Sequence, residues 1–185
     1  MSSTVYVCFL EADAELMEQH WLNKAAAYFS PEKNGKIHVE LFFPESEQPE
    51  NTEVVKGLAC SIHYGGRVFL TQKHFSRKQW SFRTLSVSKK QKEDMLAFCR
   101  EHVGDHFNHL SYFLSPWCEV GPEYPLMFGY GARWFCSELV VCGLRVGGVL
   151  DVSACGCSPH PQRLFRVLES ASTPSSVRGS YVLNF

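Results

Sequence analysis

The segment KIHVELFF, residues 36–43, alternates Val39, Leu41 and Phe43 with His38, Glu40 and Phe42. Successive strand side chains point to opposite faces, so the pattern predicts a strand with one apolar face and one mixed face. Such a strand belongs in a sheet, with polar groups held on a single side. Further β-branched and aromatic runs predict its companions. TVYVCFL at 4–10 reads as a strand, and Trp80 to Val87 as another. Leu58 to Tyr64 and Arg67 to Thr71, around Gly65-Gly66, read as two short strands or one bent strand. The centre of the chain is therefore expected to be a small sheet.

Helical signals flank it. Leu16, Met17, Trp21, Ala25 and Tyr28 recur at three- and four-residue steps, which predicts an amphipathic helix from Glu11 to Tyr28. Ser88 followed by Gln91 is a capping-box pattern, and Met95, Leu96, Cys99 and Val103 continue it as a helix closed by Gly104. Phe135 to Val146 is helical and stops at Gly147-Gly148, and SPHPQRLFRVLESAS suggests a short helix started by proline. SYVLNF closes the chain as a strand. PESEQPENTE reads as an exposed loop, and the aromatic, Gly- and Pro-bearing stretch from His106 to Trp134 as a binding surface, a lid or core. Helical parts around a strand-rich centre give the α+β class.

The 185 residues are 45% hydrophobic and 20% charged, which is the range of one compact globular domain. The expected organisation is a single domain over 1–185, with a strand and helix in 1–36, a core in 37–164 and a tail strand in 165–185. A net charge of -1 provides no basic field for nucleic acid. No apolar run has the length of a spanning helix, and MSSTVYVCFLEADAE lacks the order of a signal peptide, so a cytoplasmic location is expected. The eight cysteines are scattered, which argues against a disulfide framework. Cys142, Cys155, Cys157 and His160 form a loose group without paired CxxC spacing, so zinc there is a minor alternative to incidental thiols.

Cys136 stands where the loop GYGARWF turns into the helix SELVVCGLRV. A helix N-terminus offers unpaired N–H groups and a positive dipole end, which favour a thiolate and a developing oxyanion. The bland alternative is one more buried thiol beside Trp134 and Phe135. Histidine is the side chain suited to shuttle the thiol proton, and His38, on the mixed face of its strand, is the best placed of eight; a surface histidine is its alternative. A third group would orient the imidazole. If residues 43 and 58 face each other in an antiparallel pair, Ser61 and His63 share a face and His63 comes near His38. His63 is the first choice for that role, then Ser61, then Glu40 on His38's own face, although His63 also suits an exposed position at a Gly-Gly turn.

HVELFF near the start and FCSELV near the end resemble the motifs of the permuted branch of the papain-like NlpC-type superfamily. In that branch the His strand precedes the Cys helix. QWSFRTLSV, the following helix, HVGDHFN and SPHPQRL are similar to the branch's intervening and following segments. The resemblance covers about Ile37 to Leu164 and implies a papain-like fold in circularly permuted order, with a small antiparallel sheet packed against helices. It implies Cys136 as nucleophile and His38 as general base of a cysteine peptidase or amidase cleaving a peptide or N-acyl amide, or an ester, with no metal or organic cofactor. Lipid acyltransferases also belong to the branch, so a lipid-like substrate is an alternative. LACSIHYGG departs from the pattern, carrying Ser61 and His63 where bacterial members often have Glu. A non-catalytic binding or structural protein on the same fold is the second class of reading.

Overall fold

The structure, a computed structural model, describes residues 2–11, 35–46, 52–109, 132–151, 156 and 158–172. Among these, five strands form one antiparallel sheet: β1 (Ser2–Glu11), β2 (Lys36–Pro44), β3 (Val54–Ser61), β4 (Phe69–Ser76) and β5 (Trp80–Ser88). Their spatial order is β4-β3-β2-β1-β5. The class is α+β, as the residue patterns predict. β1 is an interior strand, paired with both β2 and β5. Its central residues, Val5 to Phe9, are nearly all without exposure, as interior β-branched and aromatic residues should be. The sheet is thus not confined to the middle of the chain. β4 runs past Thr71 to Ser76, and its polar Thr71, Gln72 and His74 are exposed on the last strand of the sheet among the described residues.

Three helices follow: α1 (Lys89–Glu101), α2 (Cys136–Val146) and α3 (Pro161–Ser172). The capping box at α1 forms as its residues predict. Ser88 Oγ accepts from the Gln91 N–H at 3.2 Å, and Gln91 Oε1 accepts from the Ser88 N–H at 2.9 Å. α1 stops two residues short of Val103, and the turn ends at Gly104 with φ of 95°, a conformation that favours glycine. Two short parallel strands, β6 (His106–Phe107) and β7 (Arg133–Trp134), bring the turn after α1 beside the residues that enter α2.

The alternation of β2 divides the molecule. Val39, Leu41 and Phe43 join Val5, Val7, Phe9, Met95, Leu139, Val140, Leu144 and Leu164 in the main core between sheet and helices. Phe42 lies on the other face with Tyr6, Cys8, Val55, Ala59 and Phe75, a smaller apolar cluster. α2 lies close over β2 because Gly143 has no side chain. A Cβ there would sit 3.1 Å from Leu41 Cδ2 and 3.5 Å from Phe98. Cys8, Cys60, Cys99 and Cys136 are buried free thiols, in keeping with cysteine acting as a small apolar residue. Glu11 ends β1, while residues 12–28 of the predicted helix and the final strand SYVLNF fall outside the described residues, as do Cys118, Cys155 and Cys157 and thus half of the alternative zinc group.

Candidate active site

β2 and β3 pair with Phe43 opposite Leu58, the one among the possible registers on which the choice of His63 depends. The paired residues run from Pro44↔Gly57 to Leu41↔Cys60. Beyond that point side chains take over from the ladder. Ser61 Oγ donates to the Val39 carbonyl at 2.9 Å, and the Val39 backbone lies near enough to the thiol of Cys136 to lower it. Cys136 therefore sits at the seam where β2 and β3 part, near the backbone that follows His38.

The same register brings His63 beside His38, with ring centroids 5.5 Å apart. Their relation to Glu40 differs. His38 Nε2 lies 3.2 Å from Glu40 Oε1 and 3.3 Å from Ser61 Oγ, whereas His63 Nε2 lies 3.9 Å from Glu40 Oε1. Glu40, last of the three candidate orienting residues, thus makes the shortest contact with the imidazole, and His63 approaches the same carboxylate oxygen. These contacts assign the tautomer. A carboxylate only accepts, and the single hydroxyl hydrogen of Ser61 is engaged by Val39, so both partners accept from His38 Nε2. The neutral ring then carries its hydrogen on Nε2 and keeps Nδ1 as its basic nitrogen.

Glu40 is only 1% exposed. Burial pushes its carboxyl up, but hydrogen bonds from His38 and His63, with the charges of His38 and Lys73, outweigh burial and hold it well below the usual carboxylate range. Lys73 Nζ donates to both carboxylate oxygens, at 2.8 and 3.0 Å, and lies 4.3 Å from the centre of the Phe69 ring. Lys73 and Trp80, whose ring centroid is 6.2 Å from that of His38, are the site neighbours that reading the sequence missed. Their signal lies in the pairing. Gly57↔Lys73 turns Lys73 to the mixed face, and Leu10 pairs with both His38 and Trp80.

Cys136 is the first residue of α2, as its sequence context predicts. The N-cap is Phe135, whose side chain makes no capping hydrogen bond. Glu138, fully buried, accepts from the Phe135 N–H at 2.6 Å and so fixes the first turn. Ser137 Oγ donates to the Pro159 carbonyl, and the N–H of Lys36 donates to Gln162 Oε1 at 2.7 Å. The three motif segments HVE, FCSEL and SPHPQ therefore meet at one end of β2.

One expectation changes. A helix N-terminus was expected to favour a thiolate, yet burial pushes the Cys136 thiol up to about 12. The backbone at Val39 and Ser137 lowers it, and the charges of Glu138 and Glu40 raise it further. Desolvation wins because the residue is 3% exposed. Among the described residues no hydrogen bond joins this thiol to the His38 ring. No family model matches the chain, and no curated protein or solved structure matches it either.

Proposed function

We propose that the chain is a cysteine hydrolase of the permuted papain-like kind, cleaving a peptide or N-acyl amide, or an ester, through an acyl-enzyme on Cys136. The observation that carries this reading is the position of the Cys136 thiol, at the start of α2, near the Val39 backbone and so next to His38 in β2. At rest the thiol keeps its proton. As Sγ attacks the substrate carbonyl, His38 Nδ1 takes that proton and later gives it to the leaving amine or alkoxide, a transfer that requires the ring to reach round β2 from the mixed face to the Val39 side where Cys136 packs. Glu40 stabilises the imidazolium and keeps the hydrogen on Nε2, as an orienting carboxylate does for a histidine base. Ser61 accepts from the same nitrogen, and His63 is a positioning residue acting through Glu40. N–H groups at the start of α2 receive the oxyanion. Water then releases the acyl group, and a lipid or amine acceptor in its place makes the same intermediate an acyltransferase's.

The thiol's high pKa favours a second reading, a binding or structural protein with a buried cysteine. One experiment separates the two. An electrophilic cysteine-hydrolase probe is expected to label Cys136 ahead of the other thiols, with labelling lost in Cys136→Ala. Adducts placed by peptide mass mainly on Cys142 or Cys118 would leave the binding protein as the better reading.

A further inference from the structure

We propose that His38, Glu40 and His63 also form a three-ligand site for a divalent transition ion of the zinc class, whose occupation switches His38 off as a base. The three residues offer ligating atoms that all lie within 4.8 Å of one another. Around a zinc ion with bonds of about 2.0–2.1 Å, tetrahedral ligands sit roughly 3.3–3.5 Å apart. The Glu40 Oε1 to His38 Nε2 distance of 3.2 Å already matches that span. The 3.9 Å to His63 Nε2 needs only a small closure, and that side chain, 65% exposed, has room to turn. Two imidazoles and one carboxylate are a zinc ligand set, with the fourth position left to water on the exposed His63 side.

Lys73 competes for the carboxylate without excluding the ion. It bonds both oxygens, so Oε2 can retain the ammonium at 3.0 Å while Oε1 turns to the metal. A ligating carboxylate held by an outer hydrogen bond is a common arrangement. The nearby positive charge weakens binding, which suits a reversible inhibitor better than a permanent structural ion. The switch follows from the tautomer. An ion on His38 Nε2 displaces the hydrogen that Glu40 and Ser61 accept, and the neutral ring must then carry its hydrogen on Nδ1. That nitrogen can no longer take a proton from Cys136. This consequence rests on the hydrolase reading; the metal site itself does not.

The test uses the full chain titrated with Co2+ and Zn2+ alone, followed by calorimetry and by the visible Co2+ spectrum, beside probe labelling of Cys136. One ion per chain is expected, with a nitrogen- and oxygen-type Co2+ spectrum free of intense thiolate bands. His63→Ala should weaken binding by more than about tenfold, and Lys73→Gln should tighten it. Zn2+ should slow Cys136 labelling in wild type and leave His63→Ala unaffected at the same concentration. Equal affinity in wild type and His63→Ala, or thiolate bands that vanish in Cys136→Ser, overturns the site. Binding that depends on His63 but leaves labelling of Cys136 untouched upholds the site and overturns His38 as the base.

Discussion

On the hydrolase reading, Cys136 and His38 divide the work of activation in an order set by burial. The thiol is pushed up to about 12, so a stored thiolate contributes nothing at neutral pH, and the proposed mechanism has the base act during attack. His38→Ala should therefore slow probe labelling of Cys136 at pH 7 by about 100-fold or more, the usual contribution of a positioned base. Its remaining rate should climb steadily toward alkaline pH, as for a buried thiol alone. Rates followed by peptide mass from pH 6 to 10 check this, and superimposable wild-type and His38→Ala curves would show that the imidazole is a bystander. Lys73 has a different job. Glu40 is 1% exposed and Lys73 Nζ sits on both its oxygens, so Lys73→Met leaves a buried carboxylate with histidines as its remaining partners. Stranding one member of such a pair costs about 3 kcal/mol, the low end of the usual range because Lys73 is a quarter exposed. Urea unfolding measures it, and a loss below about 0.5 kcal/mol would class the contact with surface ion pairs.

Elements carry the site by their ends. α1 contributes no site residue, but it covers the core face of the sheet and packs beside α2 through Phe98 and Gly143. Its capping box is a clean place to perturb stability alone. Ser88→Ala should cost about 1 kcal/mol and lower Tm by roughly 2–4 °C, with Cys136 labelling unchanged. A change in labelling equal to a change at His38 would mean that α1 sets the seam directly. This cap was legible because Ser88 and Gln91 interact within one turn, whereas the Phe43↔Leu58 register stayed open, because a strand's period of two fixes which face is buried and the long loop between β2 and β3 leaves the offset free. The position of β1 between β2 and β5 was not legible. TVYVCFL reads as a strand in any sheet, and only non-local pairing decides which neighbours it takes. Lys73 was hidden for the same reason, since its role depends on the β3–β4 register.

At the scale of the whole molecule, the helices and sheet are joined by a few polar links between segments far apart in the chain, and α3 carries several of them. Gln162 accepts from the first residue of β2, and Arg83 of β5 lies 3.7 Å from the centre of the Phe165 ring and pairs with Glu169 at 3.0 Å. The turn that starts α3 contains His160, whose carbonyl accepts from Arg163 and Leu164 and whose Nδ1 accepts from the Gln162 N–H at 3.2 Å. Burial lowers His160 to about 4 from 6.5, so the folded chain holds it neutral. Between those two values the unfolded chain binds the extra proton and the folded chain does not, so stability falls as pH drops through this window and is fully recovered above 6.5. The loss should reach up to roughly 3 kcal/mol by pH 4. Glu11 and Glu40, both lowered in the fold, act on the acid side of this window, since their stabilisation is lost only as pH falls below the unfolded carboxylate range near 4.5. His160→Asn keeps a polar side chain without a titrating ring and should flatten the curve between pH 6.5 and 5 while leaving the steeper acid limb in place. Urea midpoints at half-unit steps from pH 7.5 to 3.5, for both proteins, decide it. If His160→Asn loses as much stability as wild type between pH 6.5 and 5, the proton is taken up elsewhere and His160 is not what ties the α3 start to acid unfolding.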